Sequence, residues 1–148
     1  MTYFSKPHPG RVIAFEWDPN MDVVEVNQPM TPAPKVIIKL PPNDPILRRD
    51  GRLADGLSVR FRLEDFDREC NVSGVLGGGE EIIREESVGD NGEVTVTLVG
   101  EELRIMGIGN FNLFAEVFVT DGTGEAVRIW RDWTTLIRVR NWEWLVLH

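Results

Sequence analysis

From Phe111 to Arg140 the chain alternates. Phe111, Leu113, Ala115, Val117 and Val119 fall on every second position. Asp121-Gly122-Thr123-Gly124 interrupts, and Val127 and Ile129, then Trp133, Thr135, Ile137 and Val139, resume the period. Successive side chains of a strand point to opposite faces, so this spacing describes strands with one face in a core. An Asp-Gly pair between two such runs is a strong hairpin signal. The stretch is therefore predicted to be a hairpin plus a following strand, and the spine of a β domain.

The same grammar recurs upstream. Lys35 to Leu40 is a strand by β-branched content, stopped by Pro41-Pro42-Asn43-Asp44-Pro45. Leu57, Val59, Phe61 and Leu63 alternate with Ser58, Arg60, Arg62 and Glu64, the pattern of a strand with one wet face. Cys70, Val72 and Gly74 to Leu76 suggest a short strand, turned by Gly77-Gly78-Gly79 onto a partner at Glu81 to Glu85. Glu93 to Val99 is a further strand, and Gly100 to Gly107 has room for one helical turn. Short strands with turn signals every ~8–12 residues predict an all-β, antiparallel β-sandwich over residues 35–140.

Two extensions flank it. Residues 1–34 hold six of the nine prolines and read as an extended arm, because proline removes a donor and restricts the residue before it. Arg11 to Trp17 alternates well enough to be a strand, Val23, Val24 and Val26 suggest another, and Gln28 to Pro34 reads as a linker. Residues 141–148 form a short aromatic tail. Tyr3, Phe4, Val12, Ile13, Phe15 and Trp17 in the arm, and Trp142 and Trp144 in the tail, are the candidate interface residues. Tryptophan and tyrosine bury much area at low entropic cost, which suits them to anchor contacts. Covering the base of their own sandwich is the competing role. Trp130 and Trp133 lie in the spine and are core or core-edge residues. Exposed on one face, they would instead form a stacking platform for a carbohydrate or other ligand.

Charge narrows the function. The net charge is −8, and residues 51–125 carry sixteen acidic against six basic groups. That balance argues against binding nucleic acid. It also leaves open an acidic face of one copy meeting the neutral or basic ends of another protein. The first eight residues lack the apolar core of a signal peptide, and no run approaches the ~18 apolar residues of a membrane span. The sequence reads as a protein made in a cytoplasm, without a membrane partner.

No catalytic signature emerges. Gly77-Gly78-Gly79 is followed by Glu80 and Glu81, which would repel a phosphate, so it is a turn. Asp18, Asn20 and Asp22 open like a calcium loop, but Val23 and Pro29 stand where glycine and the bidentate glutamate belong. Asp65, Asp67 and Glu69 read as a solvated corner. Asn71-Val72-Ser73 matches a glycosylation acceptor without a secretory context. Cys70 stands alone, which excludes an internal disulfide and a cysteine metal site, and reads as a small buried hydrophobe. His8 and His148 lie near opposite ends, and no serine has a nucleophile-elbow context. Neighbouring pairs such as Glu85-Glu86 would point to opposite faces of a strand. The reading is a non-enzyme with no metal and no cofactor.

Four segments carry a family resemblance. Leu57-Ser58-Val59-Arg60-Phe61-Arg62-Leu63 matches Leu-x-Val-x-Phe-x-Leu, and Gly92 to Leu98 matches Gly-x-Val-x-Val-x-Leu. Gly109 to Gly122 matches a strand ending in Val-Thr-Asp-Gly, and Ile137-Arg138-Val139 closes the pattern as Ile-x-Val. Together they resemble the small Ig-like β domain of phage baseplate upper proteins and related tail-fibre adaptors. The proline-rich arm departs from that pattern, as does the lack of a helical or collagen-like oligomerisation segment. The resemblance implies a structural protein of a tailed phage virion, in the baseplate, tail-fibre adaptor, neck or head decoration. It would work in the virion beside other virion proteins, as a homo-oligomer within a symmetric particle. On this reading the arm and tail dock on neighbours, Arg11 to Trp17 adds a strand to another sheet's edge, and removing residues 1–34 leaves a folded monomer. A carbohydrate- or ligand-binding module using Trp130 and Trp133 is the alternative.

Overall fold

The computed structural model describes residues 10–17, 23–42, 44, 48–49, 52–53, 57–86, 92–120 and 124–141. Within them the chain is all-β. The strands are β1 (Val12–Glu16), β2 (Val23–Glu25), β3 (Lys35–Lys39), β4 (Arg48–Arg49), β5 (Arg52–Leu53), β6 (Leu57–Asp65), β7 (Ile82–Glu86), β8 (Glu93–Thr97), β9 (Gly109–Thr120), β10 (Ala126–Trp133) and β11 (Ile137–Arg140). A small sheet has the order β1-β3-β8. A large one runs β2-β11-β9-β6-β7, with β10 also on β9, and β4 and β5 form a separate ribbon. The two main sheets face each other as a β-sandwich.

Alternation decides what fills it. Leu57, Val59, Phe61 and Leu63 of β6 and Leu113, Ala115, Val117 and Val119 of β9 turn inward and are buried, as do Val36 and Ile38 of β3 and Val96 of β8. The predicted spine holds. β9 and β10 pair antiparallel from Thr120–Ala126 to Phe114–Trp133, although the turn residues Asp121, Gly122 and Thr123 lie outside the described residues. A register shift between Arg128 and Trp130 changes the parity of β10. It turns Trp130 into the core at 5% exposure and leaves Trp133 opposite Phe114 on the other face. The strand then breaks at Thr134. Its hydroxyl accepts the Leu113 amide at 3.0 Å and its own amide donates to the Leu113 carbonyl at 2.9 Å, before Ile137 and Val139 re-enter the core on β11.

The described part of the arm belongs to the sandwich, which corrects the boundary at residue 34. β1 pairs with β3 along all five of its residues. β2 pairs with β11 in parallel, so the large sheet is mixed rather than purely antiparallel. Met30, in the expected linker, is 2% exposed, and its amide donates to the Leu103 carbonyl at 2.8 Å. Proline spacing argued for an extended chain and the chain is extended here, but its apolar residues satisfy the core.

Three further expectations are corrected. Residues 70–76 form a short 3-10 turn, Ser73–Val75, instead of a strand, because the buried Ser73 hydroxyl accepts the Leu63 amide at 3.0 Å and the Asn71 side chain accepts the Ser73 amide at 2.9 Å. β7 therefore pairs with β6. Cys70 is exposed, since the turn lifts it off the sheet. The predicted helical turn is found, as a 3-10 turn over Gly100–Leu103. Gly77-Gly78-Gly79 is a turn, as expected, and Gly77 is its tight point: a Cβ there would overlap the Glu101 carbonyl oxygen, whereas one at Gly78 would meet nothing.

Candidate partner and ligand surface

The outer face of the large sheet is built from the residues that alternate with the core. β6 turns Arg60, Arg62 and Glu64 outward, β9 turns Asn112, Phe114, Glu116 and Phe118, and β10 turns Arg128, Arg131 and Trp133. The register sets them in rows across the sheet: Ser58–Phe118–Arg128, Arg60–Glu116–Arg131, Arg62–Phe114–Trp133 and Glu64–Asn112.

These rows are knitted together. Glu116 is 4% exposed and lies between two guanidinium groups, with Arg62 Nη1 at 3.1 Å from Oε1 and Arg128 Nη1 at 2.5 Å from Oε2. Arg62 also donates through Nε to Glu64 at 3.0 Å. A buried carboxylate needs such partners, because desolvation penalises an unpaired charge heavily. The arginines lie on rings as well as on acids. Arg60 sits 4.2 Å from the Phe118 centroid, and Arg62 and Arg131 lie 5.0 and 4.8 Å from that of Phe114. Phe114 and Trp133 stack with centroids 5.5 Å apart and planes at 30°. A guanidinium against an aromatic face gains from the ring quadrupole while its edge still offers donors.

At the end of β6 the face opens into a groove of ≈ 830 Å³. It is lined by the acidic corner of Asp65, Asp67 and Glu69 together with Asn112, Phe114, Arg131 and Trp133. Asp65 shapes the corner by accepting the amides of Asp67 and Arg68, both at 2.9 Å. The Arg68 amide foremost holds the Asp65 carboxyl below its ordinary 3.8, helped by the Asp67 amide and the Arg68 guanidinium, against an upward push from desolvation. Among the described residues no group of three or more His, Cys, Asp or Glu side chains is arranged to hold a metal. No helix among them is long and apolar enough to cross a membrane.

The predicted site residues divide accordingly. Trp133 lines the groove, but Trp130 is a core residue, so the two do not form one platform. Ile13, Phe15 and Trp17 pack against the core of their own domain, while Val12 is 48% exposed. Trp17 and Glu16 also border a smaller recess of ≈ 440 Å³ with Pro32 and Lys35. Tyr3, Phe4, Trp142 and Trp144 lie outside the described residues, as do His8, His148 and the Asp18-Asn20-Asp22 run. The arginine–aromatic face was the part missed. Its signal was Phe114 and Phe118 falling on the opposite parity of β9 from the core residues, which marks a strand covered on both sides.

Compared with known proteins, the chain matches no family model and no curated sequence.

Proposed function

We propose that this chain is a non-catalytic docking module of a tailed phage virion, an Ig-like sandwich placed between neighbouring structural proteins in the baseplate, tail-fibre adaptor, neck or head decoration. One observation carries the reading. The segments that resemble the phage adaptor domain all contain strands, β6, β8, β9 and β11. They are drawn from both sheets, and their inward positions Val59, Phe61, Val96, Leu113, Val117 and Val139 are 0–2% exposed. Those are the positions that the resemblance requires to be buried in one core.

The docking role shifts from the arm to the faces of the sandwich. β1 already spends one edge on β3, so it does not extend to a neighbour as a free strand. The groove and the arginine–aromatic face are the surfaces that offer anchors of the kind found at interface centres, with aromatic and arginine side chains together. Within the virion the partners are other structural proteins and further copies of this chain. Deleting the reading frame from the phage that carries it tests the proposal. The expected result is particles that lose a defined component and infectivity and recover both on complementation. Unchanged particles and titre would overturn it.

One observation favours a second reading. Trp133 stands on the groove wall beside Asn112 and the acidic corner, a combination of ring and polar groups that suits a saccharide. Calorimetric or glycan-array binding abolished by Trp133→Ala, in a chain that stays folded, is the expected mark of a carbohydrate-binding module. Binding untouched by that substitution would exclude this groove.

A further inference from the structure

The small sheet ends in an undefended edge. Its order is β1-β3-β8, and among the described residues β8 pairs with β3 alone. The Leu98 amide donates to the Pro34 carbonyl and the Leu40 amide to the Gly92 carbonyl, so the even positions of this segment face β3. Backbone groups alternate in direction along an antiparallel strand. The amides and carbonyls of Thr95 and Thr97 therefore point away from β3, along the outer edge. From Val94 to Val99 the run holds only valine, threonine and leucine, with no charge, proline or glycine. Its register on β3 is unbroken. Edge strands are usually guarded by charge, by bulges or by shortness. The other edges here follow that rule: β7 carries Arg84, Glu85 and Glu86, β10 has the shift between Arg128 and Trp130, and β2 is three residues long. On the far side of the small sheet, β1 approaches β10 of the facing sheet.

We infer that β8 pairs antiparallel with β8 of a second copy, about a two-fold axis at Val96, joining two small sheets into one of order β1-β3-β8-β8-β3-β1. The edge is separate from the groove and the arginine–aromatic face. It rests on the docking reading above for its partner, a further copy, and supplies the contact between copies. In this register Thr95 of each copy lies opposite Thr97 of the other. Their amides and carbonyls close two hydrogen bonds at each pair. Both threonines lie on the outer side of the sheet, where Thr–Thr pairs across strands are favourable. On the inner side the buried Val96 meets its counterpart, and the half-buried Val94 meets the buried Leu98, so the core continues across the junction. Each Glu93 falls opposite Val99 of the other copy. An axis at Glu93 would instead set two carboxylates against each other, which cross-strand pairing disfavours. The net charge of −8 keeps copies apart in general, and the run from Val94 to Val99 is a place where they meet without it. Such a ladder takes its affinity from main-chain bonds, and a closed two-fold contact uses the same strand from both partners.

Native mass spectrometry, sedimentation and amide hydrogen exchange on the full chain test it. The wild type is expected to form a two-chain species in which the Thr95 and Thr97 amides exchange slowly. In the dilute monomer those two should exchange fast, while Val94 and Val96 stay protected in both. Thr95→Pro removes an amide that is turned away from β3, on an edge strand, where proline is tolerated. It should raise the dissociation constant about tenfold or more, since half of the new bonds go. Two double variants keep the test valid if that chain unfolds, with the fold checked by circular dichroism. Thr95→Lys with Thr97→Lys sets like charges against each other at both pairs and should run as a monomer. Thr95→Lys with Thr97→Glu sets opposite charges there and should dimerise, less strongly as salt rises. A wild type monomeric at every concentration, a dimer whose Thr95 and Thr97 amides still exchange fast, or a second double variant no better paired than the first would overturn the inference. Protection of those amides that needs a different protein would overturn the second copy as occupant. A chain monomeric in solution yet built into virions defeats this contact and leaves the docking reading standing. A dimer of this kind absent from virions does the reverse.

Discussion

Phe15 on β1 meets Phe61 on β6 edge to face, with ring centroids 6.1 Å apart and planes at 62°. The contact ties the first described strand to a core residue that is 0% exposed in the large sheet. Phe15→Ala should cost about 2–4 kcal/mol, the range for truncating a packed aromatic at a partly buried site. The check is the urea midpoint at unchanged slope. Removing residues 1–34 strips an outer strand from each main sheet, so the truncated chain should lose its cooperative unfolding transition instead of persisting as a folded monomer.

Glu116 is the second structural commitment. Replacing it with glutamine leaves Arg62 and Arg128 without their shared carboxylate. Both guanidinium groups keep some access to water, with side-chain exposures of 22% and 29%. The loss is therefore smaller than for a fully buried pair, about 1–3 kcal/mol. Chemical denaturation of Glu116→Gln beside Glu116→Leu separates charge from packing. The leucine variant should be the less stable of the two, because it also removes the one oxygen acceptor that glutamine keeps for an arginine.

Much of this architecture was legible in the sequence, because alternation records which face of a strand is covered. β3, β6, β8, β9 and the β9–β10 hairpin all followed from it. Three kinds of information were not written in that period. The register shift between Arg128 and Trp130 exchanged the faces of the two spine tryptophans, and no local residue announces it. Side chains that bond the backbone, such as Ser73 to Leu63, turned an expected strand into a 3-10 turn. The outer face looked wet because arginine and glutamate are charged, yet Arg60 and Arg62 lie on rings and Glu116 is buried between cations. Proline counting misplaced the arm, since prolines limit hydrogen bonding without preventing Met30 or Phe15 from packing.

Gly77 and Gly78 should respond differently to the same substitution. Gly77→Ala drives a methyl into the Glu101 carbonyl and should destabilise by about 1–3 kcal/mol through forced backbone shifts. Gly78→Ala meets open space and should stay within about 0.5 kcal/mol of wild type. Paired thermal melts of the two variants decide it.

Asp65 makes stability depend on pH. Its carboxyl has a lower proton affinity in the folded turn than at its ordinary 3.8, with the Arg68 amide as the main cause. A depressed folded value adds stability that is fully present above the unfolded pKa and is lost as pH falls through the folded one. Asp65→Asn should therefore lower the urea midpoint near neutral pH. The difference from wild type should close as the solution is acidified below 3.8 and through the lower folded value. A gap that stays constant across that range would mean the turn is held by something other than the ionised carboxylate.

The central claim is that this sandwich is a building block of a virion. Quantitative mass spectrometry of purified particles, with cross-linking, tests it most directly. The account predicts a fixed copy number per particle and cross-links from this chain to a neighbouring structural protein. Particles that carry no copies, or traces that wash away with salt, would contradict it.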